Sequence, residues 1–210
     1  LDKESKKADE SLLSMSKAGD VAAKGVMATA AAVGTAITAI TSLIKVTSDY
    51  AREIKVATEL SGVAADKIQL MAHATSTVGI GLEQLGDISK DTREKIGDFL
   101  NTGGGGFQDF ADAMKLSKQE AKELALELSD LSGPEILQEM VTRMEDANVS
   151  SVQMSHALEG MASDTTKLIP LLKDGGKQMQ VMSDAMRGVV VPLTDEDIQM
   201  FVRMGESADL

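Results

Sequence analysis

Two histidines, a run of four glycines, three methionines at helical spacing and 33 acidic side chains are the residues of this chain whose types could carry chemistry. His73 and His156 each sit alone on a helical pattern. They read as surface or core-edge side chains, because a helical metal site needs a second ligand presented beside the first. The glycines at 103–106 follow a helix rather than a strand, and no Lys-Ser or Lys-Thr comes after them. A phosphate-cradling loop is therefore excluded, and a flexible linker is expected. Met179, Met182 and Met186 recur at helical spacing, a pattern that can line an adaptable groove but more often fills a core. Most carboxylates fall on polar faces, so no buried acid/base pair is expected. The absence of cysteine excludes disulfides, thiolate catalysis and Cys-ligated zinc. No catalytic residue, metal or cofactor emerges, and an enzyme is not expected.

Charge narrows the partners. With 21 basic against 33 acidic residues, the net charge of −12 repels a phosphate backbone, and stable nucleic-acid binding is not expected. Only Tyr50, Phe99, Phe107, Phe110 and Phe201 are aromatic, so a core must be built from Leu, Ile, Val, Ala and 13 Met, which predicts a soft and shallow one. The opening LDKESKKADESLLSMSKAGD has no apolar centre of the kind a secretion signal requires. Leu1 and Leu210 both fall inside helical patterns, and the chain is read as a slice of something longer.

The elements follow from periodicity. Residues 1–18 are a polar, mixed-charge segment. Residues 19–60 read as one long Ala-rich helix, in which the 20 residues between Lys24 and Lys45 are uncharged. Within it Val26, Ala30, Val33, Ile37, Ile40 and Ile44 recur at alternating steps of four and three, and Thr47, Ala51 and Ile54 continue the line. That 3.5-residue stripe predicts a coiled-coil-like, oligomerising helix. Branched residues at both kinds of stripe position favour a homo-trimer over a dimer. A second surface of small residues, Ala30, Gly34, Thr38 and Ser42 with Gly25 at its head, would admit another backbone closely or face a membrane. The neutral segment has the length of a bilayer span, yet its Ala, Thr and Gly content makes insertion marginal, and bundle packing is the preferred reading.

Residues 61–210 read as a multi-helix region with Gly-rich breaks. Ser61-Gly62, Gly79 with Gly81, the four glycines and Asp174-Gly175-Gly176 punctuate it. Ser117 to Glu120 forms a capping box, Pro134 opens a helix, Ser150 or Ser151 caps another, and Thr194 with the acidic residues after it starts the last. Val189-Val190-Val191-Pro192 is too short for a strand and reads as a connector. The fold class expected is all-α: a long N-terminal coiled-coil-like helix, then an array of short amphipathic helices, with no sheet.

The order of these pieces resembles the N-terminal region of bacteriophage tail tape measure proteins. The Ala-rich helix leads into SDYAREIKVATELSGVAADKIQLMAHATSTVGIGLEQLGDI, and after a Gly-rich gap come FADAMKLSKQEAKEL, SGPEILQEMVTRMED, TTKLIPLLKDGGKQMQVM and VPLTDEDIQMF. Each is similar to a block of that family, and together they span about residues 20–207. The resemblance implies a virion protein packed in the tail tube lumen. It would set tail length, scaffold tube assembly with tail tube and tail tip or baseplate proteins, and leave ahead of the DNA, with host membrane contact at infection. The alternative from another class is a helical pore-forming toxin or secretion translocator, which also hides an Ala-rich membrane-active helix inside a bundle.

Overall fold

The computed structural model of the chain describes residues 36–187 and 189–208, with side-chain surroundings from Leu43 onward. Among them there is no strand. The helices are α1 (Ala36–Ser61), α2 (Ala65–Ser76), α3 (Leu82–Thr102), α4 (Gly106–Ala113), α5 (Lys118–Ser129), α6 (Gly133–Asp146), α7 (Ser151–Met161), a 3-10 turn (Thr165–Leu168), α8 (Ile169–Arg187) and α9 (Asp195–Ala208). The all-α class is therefore observed. The coiled-coil part of the expectation falls largely on residues before Leu43, outside the described side chains.

Helix ends sit where the capping chemistry places them. Ser117 and Glu120 exchange hydrogen bonds at the start of α5, the Glu120 amide donating to Ser117 Oγ and the Ser117 amide donating to the Glu120 carboxylate. Ser150 with Gln153 and Thr194 with Asp197 repeat the arrangement at α7 and α9. A reciprocal pair of this kind satisfies two backbone donors that the helix itself cannot. At the other end of helices, Leu116 N–H reaches back to Ala111 carbonyl and Val149 N–H to Met144 carbonyl, both at 2.9 Å. Lys115 and Asn148 accordingly adopt left-handed backbone angles. α8 is interrupted: Lys173–Gly176 leave helical geometry, with Asp174 and both glycines at positive φ.

The described residues form two compact units, Glu53–Pro192 and a smaller one made of α1 up to Arg52 with the segment from Leu193 through α9. In the larger unit α4 packs on α7, α8 on α6 and α2, and α3 on α5 and α6. Its core includes an aromatic trio, with the Phe99 and Phe107 rings 4.9 Å apart edge to face and Phe107 and Phe110 5.3 Å apart. In the same core Ile96, Leu128, Ile136, Leu137, Met140, Met144 and Met161 are at most 1% exposed. The expectation of a shallow core is corrected here. Unbranched Met side chains adapt to the gaps between short helices, so a near-absence of aromatics did not prevent deep burial. In the smaller unit α1 faces α9, where Ser48 lies against Gly205 and Ile198 and Phe201 are each 4% exposed.

The four glycines are not a linker. Gly103 closes α3 in a left-handed conformation, donating its N–H to Phe99 carbonyl at 2.7 Å, and Gly105 precedes the first residue of α4. A side chain at 103 would meet the carbonyl in that conformation, which glycine escapes.

Candidate functional site

Most of the predicted oligomer stripe lies outside the described side chains. Gly25, Val26, Ala30, Val33 and Gly34 precede the described residues, and Ile37, Thr38, Ile40 and Ser42 are placed only as members of α1. Ile44 is half-buried. Beyond it the stripe turns inward: Thr47 is 7% exposed, and Ala51 and Ile54 are fully buried in their own chain. Ile54 is thus closed to a second copy. The chain uses its branched side chain in the folded unit, where removal of such a group from water contributes about 2 kcal/mol.

Chemistry is sparse elsewhere. Among the described residues no group of three His, Asp or Glu could hold a metal ion. His156 Nε2 lies 3.7 Å from Asp109, the imidazole well exposed and the carboxylate half-buried. The expectation that His156 stands alone is corrected: Glu159, one turn after it on α7, would be the natural second ligand on that helix. Its carboxylate instead accepts from the Asp164 amide, the Thr166 amide and the Thr166 hydroxyl, at 3.3, 3.1 and 2.7 Å. That arrangement anchors the 3-10 turn, and it directs Glu159 away from metal binding. His73 is half-buried on α2, and its carbonyl accepts from the Ser76 hydroxyl.

The three methionines divide by position. Met179 is buried, whereas Met182 and Met186 are half-buried. The Thr77 hydroxyl points at the Met182 sulfur, 3.7 Å away, so this row packs α8 on α2.

The larger unit carries an open cleft of about 380 Å³ lined by the end of α1 (Glu59, Leu60), by α3 (Lys90, Arg93, Glu94, Ile96, Gly97), by Ser129 and by Ile136. Ile96 and Ile136 make its apolar floor. Its rim carries two cations and two anions. Lys90 pairs with Glu94 at 3.2 Å, and Arg93 reaches the Leu60 carbonyl at 3.5 Å. With charges so balanced, the cleft offers no field to attract an ion of either sign.

Two carboxylates have acid strengths clearly displaced from the usual range. Glu120 and Glu135 are both held below the ordinary 4.5, first by the hydroxyls of Ser117 and Ser132 and then by the same residues' amides. These are helix caps, and the shift reports local structure rather than catalysis.

No helix among the described residues is long and apolar enough to cross a membrane. Comparison of the chain with protein-family models, with curated proteins and with solved structures finds no match.

Proposed function

We propose that this chain is a segment of a bacteriophage tail tape measure protein, acting in assembly rather than catalysis. The observation that carries the reading is the order of the family-like blocks, which fall on consecutive elements. SDYAREIKVATELSG ends α1, and KIQLMAHATS belongs to α2 and LEQLGDI to α3. FADA belongs to α4, KQEAKEL to α5 and GPEILQEMVTRMED to α6, while TTKLIPLLKDGGKQMQVM spans the 3-10 turn and α8 and DEDIQMF starts α9. The all-helical fold supports it in class.

The physical role within such a protein follows from length. About 140 residues drawn out as one helix would measure about 210 Å. Folded as the compact unit Glu53–Pro192, the same residues have a radius of gyration of about 14 Å. A unit of this shape converts residue count into length poorly. Tail length is therefore measured by other parts of the parent chain, and this segment serves as a folded assembly module that meets tail tube and tail tip or baseplate proteins in the tube lumen. Self-association through the stripe Val26–Ile44 would place several copies side by side, with host membrane contact at infection through the neutral segment.

Mass spectrometry of purified tailed particles, before and after genome release in vitro, tests the proposal. Peptides of this chain are expected in the filled virion and depleted after release. Their absence from intact particles would overturn it.

A further inference from the structure

We propose that the exposed pair Asp174-Gly175, at the break in α8, is a site of spontaneous covalent modification, where the aspartate closes onto the next amide as a cyclic imide and reopens as D-aspartate. This inference is independent of the phage reading.

The reaction joins two neighbouring groups. The Gly175 amide nitrogen attacks the side-chain carbonyl carbon of Asp174, a C–N bond forms, and water leaves to give a five-membered succinimide. Hydrolysis then returns one water. Attack at the former side-chain carbonyl restores aspartate, and attack at the main-chain carbonyl gives isoaspartate. While the ring is closed, its acidic Cα–H exchanges with solvent and the centre inverts. No oxidant or cofactor is consumed. A side chain on the following residue would crowd the attacking nitrogen, and Asp174 is the one aspartate of this chain that glycine follows.

The corner gives this chemistry room and a preferred outcome. Asp174 and Gly175 are both exposed, and a methyl group on Gly175 would meet no atom within 4 Å. Ring closure turns Asp174 away from its ψ of 41°, so it runs through local opening, which exposed segments of few contacts undergo most readily. Asp174 rests at φ 54°. For an L residue that angle crowds Cβ against the following carbonyl, whereas for a D residue it is the mirror image of the right-handed helical region and free of the clash. Both ends of the corner are fixed on α6. The Leu172 carbonyl accepts from the Gln138 side-chain amide at 2.6 Å, and a side chain on Gly176 would collide with Gln138. Isoaspartate lengthens the main chain between those points by a methylene, and D-aspartate leaves its length unchanged. Because imide formation is reversible, isoaspartate closes again, and the form that fits the corner accumulates.

Asp164 is the internal contrast. It is also left-handed, at φ 68°, but Thr165 follows it. Its carboxylate accepts from Gln84 and pairs with Lys167, each at 2.7 Å, so neither the attacking nitrogen nor the carboxyl group is at liberty.

The test ages the full chain beside a synthetic peptide of residues 168–182, at neutral pH and body temperature, until the peptide has converted. After digestion, the L-Asp, L-isoAsp, D-Asp and D-isoAsp forms at position 174 are separated against synthetic standards. D-aspartate is expected to make up a share of the modified product at least about threefold larger in the folded chain than in the peptide, because only the fold imposes the positive φ. Asp164 of the same sample should remain L-aspartate. An Asp174 that stays L-aspartate in the folded chain, a D-aspartate share equal to that of the peptide, or conversion of Asp164 to the same extent would each overturn the proposal.

Discussion

Gly106 and Gly160 meet with no room for a side chain. A methyl group on Gly106 would occupy the place of the Gly160 carbonyl oxygen, and one on Gly160 would stand 3.0 Å from the Gly106 carbonyl and 2.7 Å from the Asp109 carboxylate. This contact sets how closely α4 and α7 approach, and it brings Phe107 and Phe110 to full burial.

Gly106→Ala must push two backbones apart, so its cost belongs at the upper end of overpacking, about 3 kcal/mol. For a domain of this size that lowers Tm by about 6–12 °C, read by circular dichroism on heating. Gly97→Ala is the contrast. No atom lies within 4 Å of the added methyl, inside a regular helix, and the variant should gain about 0.5–1 kcal/mol.

Lys115 adopts φ 57° with an exposed side chain, in the position where helices commonly end in glycine. Lys115→Gly removes the strain between Cβ and the carbonyl and is expected to stabilise by about 0.5–1 kcal/mol in urea unfolding. A loss of stability would show that the lysine stem has a packing role outweighing the strain.

Glu135 accepts from the Ser132 amide at 3.0 Å and from the Ser132 hydroxyl at 2.6 Å. Its folded pKa lies below the unfolded 4.5, so the charged form is favoured by folding. The resulting stability is present above about pH 4.5 and is lost as pH falls through the lower folded value. Glu135→Gln should therefore be less stable than wild type at pH 7, with the difference shrinking as the pH falls below 4.5 and Glu135 becomes protonated in the folded state. A difference independent of pH would assign the effect to packing instead.

Ile54→Ala removes a fully buried side chain, and a cost of about 2–4 kcal/mol is expected. Because the site is closed within one chain, the fall in Tm should be the same at low and high protein concentration. A concentration-dependent fall would return Ile54 to a subunit contact.

Local chemistry was readable without coordinates. The caps at Ser117, Ser150 and Thr194, the break at Ser61-Gly62, the connector Val189–Pro192 and the all-α class depend on neighbours within a few residues, and their periodicity or hydrogen-bonding rules act at that range. Ser132 with Glu135 escaped notice because Gly133-Pro134 beside it already explained the helix start.

What the residues could not reveal was which face meets which. A stripe that repeats every 3.5 residues states that a side is apolar, and the same pattern serves a sister helix or the chain's own interior. Folding decided that from Thr47 onward the stripe faces inward, that Glu159 anchors a turn instead of pairing with His156, and that Gly106, the last of the four glycines, closes tightly on Gly160. Each of these depends on residues distant in sequence, Gly160 on Gly106 and Ser48 on Gly205 among them. Hydrophobicity has no direction of its own, and only the packed arrangement of helices supplies one.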